Sequence, residues 1–113
     1  MSPDAWPVVI LRHVKWGEMD AFGHVNNTVY FRYFEDVRIA HFDALGVMRV
    51  MEEQGLGPIL ASTRARFKAA LTYPDEVEIR SRIRDLENDR FRMEYAVFSL
   101  GLERVACEGE GLI

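Results

Sequence analysis

The sequence predicts an α+β fold in which one long helix packs against an antiparallel sheet. The run from Asn27 to Leu45 contains no glycine or proline, and its apolar residues spread over most of a helical circumference, which is typical of a helix buried on several sides. After this run, four segments alternate apolar and polar residues and are separated by turn residues. With one strand before the helix, the element order is β-α-β-β-β-β, and a curved sheet around the helix would explain its broad apolar surface.

The strands can be assigned in order along the chain. We expect Met1–Pro7 to be a loosely held lead-in and Val8–Trp16 to form the first strand, with Arg12 facing outward and Val14 inward. A loop over Gly17–Gly23 leads to the helix. The other strands are expected at Ile59–Ala69, Glu76–Leu86, Arg90–Leu100 and Glu103–Ile113.

Capping residues predict where the helices begin and end. Asn is a favoured N-cap because its side-chain oxygen accepts a backbone N–H that otherwise lacks a partner, and Asn26 and Asn27 stand at the expected start. Gly46 is well placed to end the helix. Another helical turn or two is expected over Val47–Gln54, ended by Gly55.

Length and composition bound the class of protein. The 113 residues are expected to form a single domain, and a net charge of −4 argues against a dedicated nucleic-acid binder. Cys107 is the one cysteine, so no intramolecular disulfide can form, which fits a reducing compartment. No leader and no apolar stretch of about 20 residues is present, so we expect a cytoplasmic protein without a membrane anchor.

The stretch from Trp16 to Arg38 carries the strongest motif. It contains an acid, Asp20, then the turn Gly23–Asn27, then an aromatic helix with Glu35 and Arg38 inside it. This order resembles the signature of hotdog-fold acyl-CoA thioesterases of the 4-hydroxybenzoyl-CoA thioesterase class. The resemblance implies a hotdog fold, with a five-stranded antiparallel sheet wrapped around a long central helix, and hydrolysis of an acyl thioester.

Asp20 is the main catalytic candidate. On spacing alone it is equally well a loop acid that complements the positive end of the helix dipole. The resemblance implies the hydrolytic role, because the acid at the matching position is the one usually assigned to it. A carboxylate can act as general base on water or as nucleophile on the thioester carbonyl, and the sequence does not separate these. Both routes create an oxyanion, for which we expect backbone N–H groups around Asn26–Thr28 to be the donors.

The polar residues around Asp20 have both structural and catalytic interpretations. His24 is a candidate to orient the carboxylate or the thioester, and Asn27 is a further catalytic candidate, although capping alone would explain Asn26 and Asn27. Phe22 stands where related plant acyl-carrier thioesterases have an asparagine, which argues against a full Asp-Asn-His network. The three histidines lack metal-ligand spacing, so no metal is expected. Glu35 and Arg38 are spaced for an i,i+3 pair, and Glu35 could instead face the partner's pocket; we assign both a structural role.

Arginines provide candidates for binding the substrate's nucleotide. The alternating arginines of the second and third strands are most simply a solvated face of the sheet. Coenzyme A also presents three phosphate groups, which suit arginine, and the resemblance implies a nucleotide site near a subunit boundary. The substrate-binding candidates are Asn26, Thr28, Arg84, Arg90 and Arg92.

Three functions remain open from the sequence: an acyl-CoA thioesterase, an acyl-carrier-protein thioesterase, and a non-catalytic acyl-binding module. No cofactor is expected, because coenzyme A is part of the substrate. The edges of a five-stranded sheet favour pairing with another chain, and the resemblance implies a homodimer or homotetramer with Asp20 near the subunit boundary. The chain ends on Leu112-Ile113 without a polar tail, so we expect a short or truncated C-terminus.

Overall fold

In the computed structural model, which describes residues 6–55 and 57–113, two helices accompany one five-stranded antiparallel sheet. The strands and helices are β1 (Val8–His13), α1 (Asn27–Leu45), α2 (Val47–Gln54), β2 (Ser62–Phe67), β3 (Glu76–Arg84), β4 (Arg92–Ser99) and β5 (Arg104–Leu112). The order across the sheet is β1-β3-β4-β5-β2, so β1 and β2 are its edges. The predicted α+β class and the predicted element order are confirmed.

The caps of α1 lie where local sequence rules place them. Asn26 is the N-cap, and its Oδ1 accepts the Thr28 N–H at 2.9 Å. Gly46 ends the helix with φ 76°, a left-handed conformation that glycine adopts without steric cost. Helix α2 follows at once and ends at Gly55, which also has positive φ.

Helix α1 crosses the sheet diagonally, with its buried side chains in the core. Near its N-terminus Tyr30 contacts Phe67 of β2, with ring centroids 5.1 Å apart. In its middle Phe34 stacks on Tyr95 of β4. Towards its C-terminus His41 shares a 2.8 Å hydrogen bond with Ser81 of β3. The rows of residues on this inner face of the sheet are therefore covered by the helix, while alternate residues point to the outer face.

Two of the four consecutive apolar residues in β1 are solvent-exposed. Val9 and Leu11 are 47% and 55% exposed, because they alternate with the inward-facing Val8 and Ile10. Arg12 is exposed, and its Nε contacts Asp36 of α1 at 3.3 Å. The strand also ends at His13 rather than Trp16, because the N–H of buried Val14 turns to the carbonyl of Asp75 and a short 3-10 turn follows.

The other strands are shorter than predicted at most of their ends, because terminal residues enter turns outside the ladder. Their faces are as expected: Val77 and Ile79 are fully buried and the intervening charged residues face outward. The arginine-bearing strands β2 and β3 are separated by β4 and β5, so they do not form one patch.

The N-terminal segment is better packed than expected where the structure describes it. Met1–Ala5 lie outside the described residues. Trp6 is 7% exposed, and the guanidinium of Arg82 lies 4.2 Å from the centre of its ring. Within residues 6–55 and 57–113, neither helix has the length and apolar character needed to cross a membrane.

Candidate functional site

Asp20 lies in a tight turn whose backbone and side chain are both held. Its N–H donates to the carbonyl of His24 at 2.9 Å, and its own carbonyl accepts the N–H of Gly23, which has φ 79°. The carboxylate accepts the Phe22 N–H at 2.9 Å through Oδ1 and contacts Asn26 Nδ2 at 3.4 Å through Oδ2. The turn therefore fixes the carboxylate beside the N-cap of α1, and the side chain remains partly exposed.

Contacts on both sides anchor this turn to the rest of the chain. Met19 and Val25 form an isolated β-bridge that closes its base. The Val25 N–H donates to the carbonyl of Leu71 at 2.8 Å, and the Asn26 N–H donates to the carbonyl of Glu18 at 3.0 Å. A carboxylate that must meet a reacting atom benefits from such support, because small displacements reduce the rate steeply.

The three backbone amides expected to bind an oxyanion are not equally available. The Asn26 N–H is used by Glu18 and the Thr28 N–H by the Asn26 side chain, which also accepts the Thr28 hydroxyl at 2.7 Å. These bonds correct the expectation that all three amides face a ligand. Asn27 begins the helix, and among the described residues its N–H has no acceptor. It is therefore the remaining donor at the helix N-terminus.

The two other catalytic candidates, His24 and Asn27, have exposed side chains. His24 contributes its carbonyl to the Asp20 turn, while within the described residues its imidazole has no hydrogen-bond partner. The structure therefore brings Asp20, His24 and Asn27 into one short segment. Within the described ranges, no group of three or more His, Cys, Asp or Glu side chains is arranged to hold a metal ion.

Behind the Asp20 turn lies a layer of buried tyrosines. Burial raises the pKa of Tyr30 to about 12. Burial and the neighbouring Glu18 carboxylate raise the pKa of Tyr33, whose hydroxyl donates to Glu18 Oε1 at 3.4 Å. Both phenols are therefore neutral near pH 7 and act as hydrogen-bonding groups. The Tyr33–Glu18 contact supports the Asp20 turn from below.

Three aromatic side chains near the turn face solvent. Phe22 is 85% exposed, Trp16 is 72% exposed and Tyr73 is 48% exposed, while the Tyr73 N–H contacts the sulfur of Met19. Exposed aromatic residues in one neighbourhood are typical of surfaces that bind a ligand or another chain. They lie near the carboxylate of Asp20, the main catalytic candidate.

The structure separates Arg84, Arg90 and Arg92 from Asp20. They surround the hairpin between β3 and β4, and the Phe42–Phe91 contact places this hairpin at the C-terminal part of α1. The 19-residue helix is about 27 Å long. The three arginines also have acidic neighbours: Glu94 for Arg84; Glu87 and Asp89 for Arg90; Asp85 and Glu110 for Arg92. Within one chain they therefore cannot share a compact site with Asp20.

The inner face of the sheet is only partly covered near β2. Helix α1 lies closest to β1, β3 and β4, and it reaches β2 through the Tyr30–Phe67 contact. Phe67 and Leu60 on that side are 43% and 39% exposed. A groove of about 520 Å³ lies instead on the outer face, where the neighbouring residues Arg82, Glu94, Glu110 and Arg64 form a row across four strands.

Several supporting residues were missed by the sequence analysis. Glu18 accepts the Tyr33 hydroxyl through its carboxylate and the Asn26 N–H through its carbonyl, and neither bond was predicted. Arg38 is spaced in sequence for a pair with Glu35, yet it donates to Tyr95 Oη at 3.2 Å, and no ion pair joins it to Glu35 among the described residues. The spacing in sequence offers no signal for such contacts, because the partners come from distant elements.

Residues 14–113 match the Thioesterase-like superfamily. The match spans most of the chain, so the protein belongs to that superfamily, and its five-stranded sheet with a long helix is the hotdog thioesterase fold. This membership supports thioester hydrolysis as the chemistry of the chain. The resemblance seen in the sequence is thereby supported at the level of the superfamily.

Particular relatives agree with this classification. A protein of Aquifex aeolicus (strain VF5) with esterase in its name is 32% identical over 93 residues, which cover 81% of this chain and 73% of the relative. A thioesterase superfamily structure from Jannaschia sp. CCS1 has a TM-score of 0.85 and 27% identity, covering 97% of this chain and 69% of that one. A thioesterase from Thermus thermophilus, solved with coenzyme A and Zn, has a TM-score of 0.81 and 27% identity, covering 96% of this chain and 78% of that one.

Proposed function

We propose that this protein is an acyl-CoA thioesterase that hydrolyses an acyl thioester to the free acid and coenzyme A, with Asp20 as its catalytic carboxylate. The observation that carries the proposal is the Asp20 turn, which holds a partly exposed carboxylate beside the N-terminus of α1. Coenzyme A as the carrier is supported by the Thermus thermophilus thioesterase solved with that molecule. Because of the motif of residues 20–38, the proposal includes membership of the 4-hydroxybenzoyl-CoA thioesterase class.

In the general-base route, Asp20 takes a proton from water as the water oxygen attacks the thioester carbonyl. The resulting oxyanion accepts the Asn27 N–H at the positive end of the helix dipole. Collapse of the tetrahedral intermediate breaks the carbon–sulfur bond, and the proton on Asp20 passes to the departing thiolate. In the nucleophilic route, Asp20 attacks the carbonyl itself, the carbon–sulfur bond breaks and coenzyme A leaves as its thiolate. Water then hydrolyses the mixed anhydride, which gives the free acid and restores the Asp20 carboxylate, and the proton released from water goes to the thiolate.

Replacement of Asp20 by asparagine tests the proposal. Asn can still accept the Phe22 N–H through its side-chain oxygen, so Asp20→Asn should retain the turn while kcat falls about 100-fold or more, because the base or nucleophile is lost. The assay measures thiol release from a panel of acyl-CoAs. Asp43→Asn, at an exposed acid near the C-terminal end of α1, is the matched control and should retain activity. An Asp20→Asn enzyme that turns over close to the parent rate would reduce Asp20 to a structural acid.

The two routes differ in where solvent oxygen is incorporated. A single turnover in water enriched in heavy oxygen labels the carboxyl group of Asp20 if a mixed anhydride forms and water attacks its Asp20 carbonyl carbon. The general-base route leaves that side chain unlabelled. Mass spectrometry of the peptide that contains Asp20 reads out the label.

A homodimer, itself able to pair into a tetramer, completes the proposed site. Strand β2 is an edge whose outer backbone groups are not paired within the described chain, and Phe67 and Leu60 beside it are partly exposed. Pairing of two β2 edges around a two-fold axis would extend the sheet and cover these side chains with the partner's helix. Each dimer would then have two equivalent sites, with Asp20 near the subunit boundary.

Coenzyme A binding by Arg84, Arg90 and Arg92 remains a prediction, and it requires that they act on the partner's substrate. Their combined replacement by alanine should raise KM for an acyl-CoA more than KM for the matching pantetheine thioester, which lacks the nucleotide. Equal increases would exclude these residues from phosphate binding.

An acyl-carrier-protein thioesterase is the second candidate, because the same chemistry at Asp20 would serve either carrier. A side-by-side assay with one acyl group on coenzyme A and on a carrier protein separates the two. A non-catalytic acyl-binding module would bind acyl thioesters and release no thiol from either. We also propose a cytoplasmic location, because the sequence contains a single cysteine, Cys107. Burial raises the pKa of this cysteine to about 12.

A further inference from the structure

Among the residues that the structure describes, Arg38 differs from the other partly buried arginines because it makes no ion pair. Arg80, Arg82 and Arg92 each contact a carboxylate. Within the described residues, the contact made by the Arg38 side chain is its hydrogen bond to Tyr95 Oη at 3.2 Å. A partly buried cation carries a desolvation cost that an opposite charge offsets. The described chain therefore holds this guanidinium in place without supplying its counter-charge.

Tyr95 positions Arg38 towards the inner face of the sheet. Its ring stacks on Phe34 with centroids 4.9 Å apart, and burial keeps its phenol neutral by raising its pKa. A Cβ on Gly111 would lie 3.1 Å from both Tyr95 Oη and Leu60 Cδ1, so the glycine allows these groups to approach the strand. Arg38, Tyr95, Leu60 and Gly111 together form what we call the Arg38 subsite.

An exposed aromatic side chain lies between this subsite and the N-terminus of α1. Phe31 is 36% exposed and packs edge to face on the buried Phe34 ring, with centroids 5.9 Å apart. Arg38 is about 15 Å along the helix axis from Thr28, and its long side chain leans towards the helix N-terminus, which shortens the span to roughly 10 Å. A medium-length acyl chain whose carbonyl is held at the helix N-terminus spans this distance.

We propose that Arg38, tethered by Tyr95, binds a carboxylate at the far end of the acyl group, so that the preferred substrates are thioesters of medium-chain dicarboxylic acids. Arginine suits this role because it forms charge-assisted, often bidentate hydrogen bonds with carboxylates. The inference rests on the proposed thioesterase function and adds the substrate class.

Glu35 of a second copy is the competing counter-ion. Arg38 is partly buried and drawn inward by Tyr95, whereas Glu35 is exposed one turn earlier. These orientations favour a ligand inside the subunit over a contact between helices. The Glu35→Gln variant separates a bound carboxylate ligand from a contact between helices, because it removes only the contact between helices.

The kinetic test compares suberyl-CoA with octanoyl-CoA, which have the same chain length and differ in the terminal carboxylate. We expect the full-length protein to prefer suberyl-CoA in kcat/KM. Arg38→Met should lower kcat/KM for suberyl-CoA by about 10- to 100-fold, the range expected for a lost charge-assisted hydrogen bond, and leave octanoyl-CoA nearly unchanged. Arg32→Met, at an exposed arginine of the same helix, is the control and should change neither. Equal losses on both substrates would overturn the inference.

A binding measurement keeps this test independent of catalysis and of folding. Calorimetry should detect suberate bound to the parent protein and to Glu35→Gln, with weaker binding to Tyr95→Phe and none to Arg38→Met. Suberate binding that needs Arg38, without thioester hydrolysis, would support the subsite and refute the proposed function. Thioester hydrolysis without a preference for suberyl-CoA would support the proposed function and refute the subsite. Loss of the preference in Glu35→Gln, with dissociation of the oligomer, would assign the counter-charge to a second copy and overturn the inference.

Discussion

Replacement of Gly109 by alanine should destabilise the protein because α1 lies very close to β5 at that residue. A Cβ at this position would overlap the Phe34 ring and stand 3.1 Å from the carbonyl oxygen of Arg64. Phe34 is 1% exposed and stacks on Tyr95, so it cannot turn away without disturbing the inner layer of the core. The added methyl group must therefore displace the helix or the ring.

The expected size of the effect follows from two opposing contributions. Overpacking of a well-packed core costs about 1–3 kcal/mol. The alanine also reduces the conformational entropy of the unfolded chain, which favours folding by about 0.4–1 kcal/mol. The steric contribution is larger because both facing atoms are fixed, so Gly109→Ala should lower the free energy of unfolding by about 1–2 kcal/mol.

Urea denaturation at a fixed protein concentration measures this change, with a midpoint expected about 0.5–1 M lower than that of the parent. Gly17→Ala is the matched control, because nothing lies within 4 Å of a Cβ there, and it should stay within about 0.5 kcal/mol. In a double-mutant cycle, Phe34→Leu should reduce the cost of Gly109→Ala by about 0.5 kcal/mol or more. A Gly109→Ala protein as stable as the parent would refute the close-packing argument.

Three further outcomes are expected. Asn26→Ala should cost about 1 kcal/mol of stability, since the Thr28 amide loses its acceptor, and should lower activity through Asp20. Asn26→Ser, which keeps a capping oxygen and adds no charge beside Asp20, should recover most of the stability. Burial lowers the pKa of His41, so below about pH 6.5 the unfolded state binds more protons than the folded state. The free energy of unfolding should therefore fall as the pH drops below about 6.5, and it should fall less in His41→Gln. Measurement of the free energy of unfolding as a function of pH for the parent and for His41→Gln tests this prediction. Sedimentation equilibrium at micromolar protein should show a homodimer or larger, and a stable, active monomer would contradict the shared-site proposal.

The helix boundaries could be predicted because capping is a local property. Asn26 and Gly46 act on backbone groups within a few residues of themselves, and so α1 begins at Asn27 and ends at Leu45 as the sequence indicated. The alternation in β3 likewise reports which residues face the core, because the side-chain period of a strand is two. The segment around Asp20 could also be singled out, since its acid, turn and cap adjoin in the chain.

Other features depend on contacts between residues far apart in sequence, and only the tertiary structure decided them. The sheet order β1-β3-β4-β5-β2 separates the two arginine-bearing strands, although their sequences look alike. Arg38 meets Tyr95 across 57 positions rather than Glu35 across three, because the curvature of the sheet brings β4 against the helix. The amides at the start of α1 are likewise distributed by tertiary contacts, since the Glu18 carbonyl accepts the Asn26 N–H and, among the described residues, the Asn27 N–H has no acceptor. Local patterns specify which elements form, while the packing of those elements determines which polar groups remain free to act.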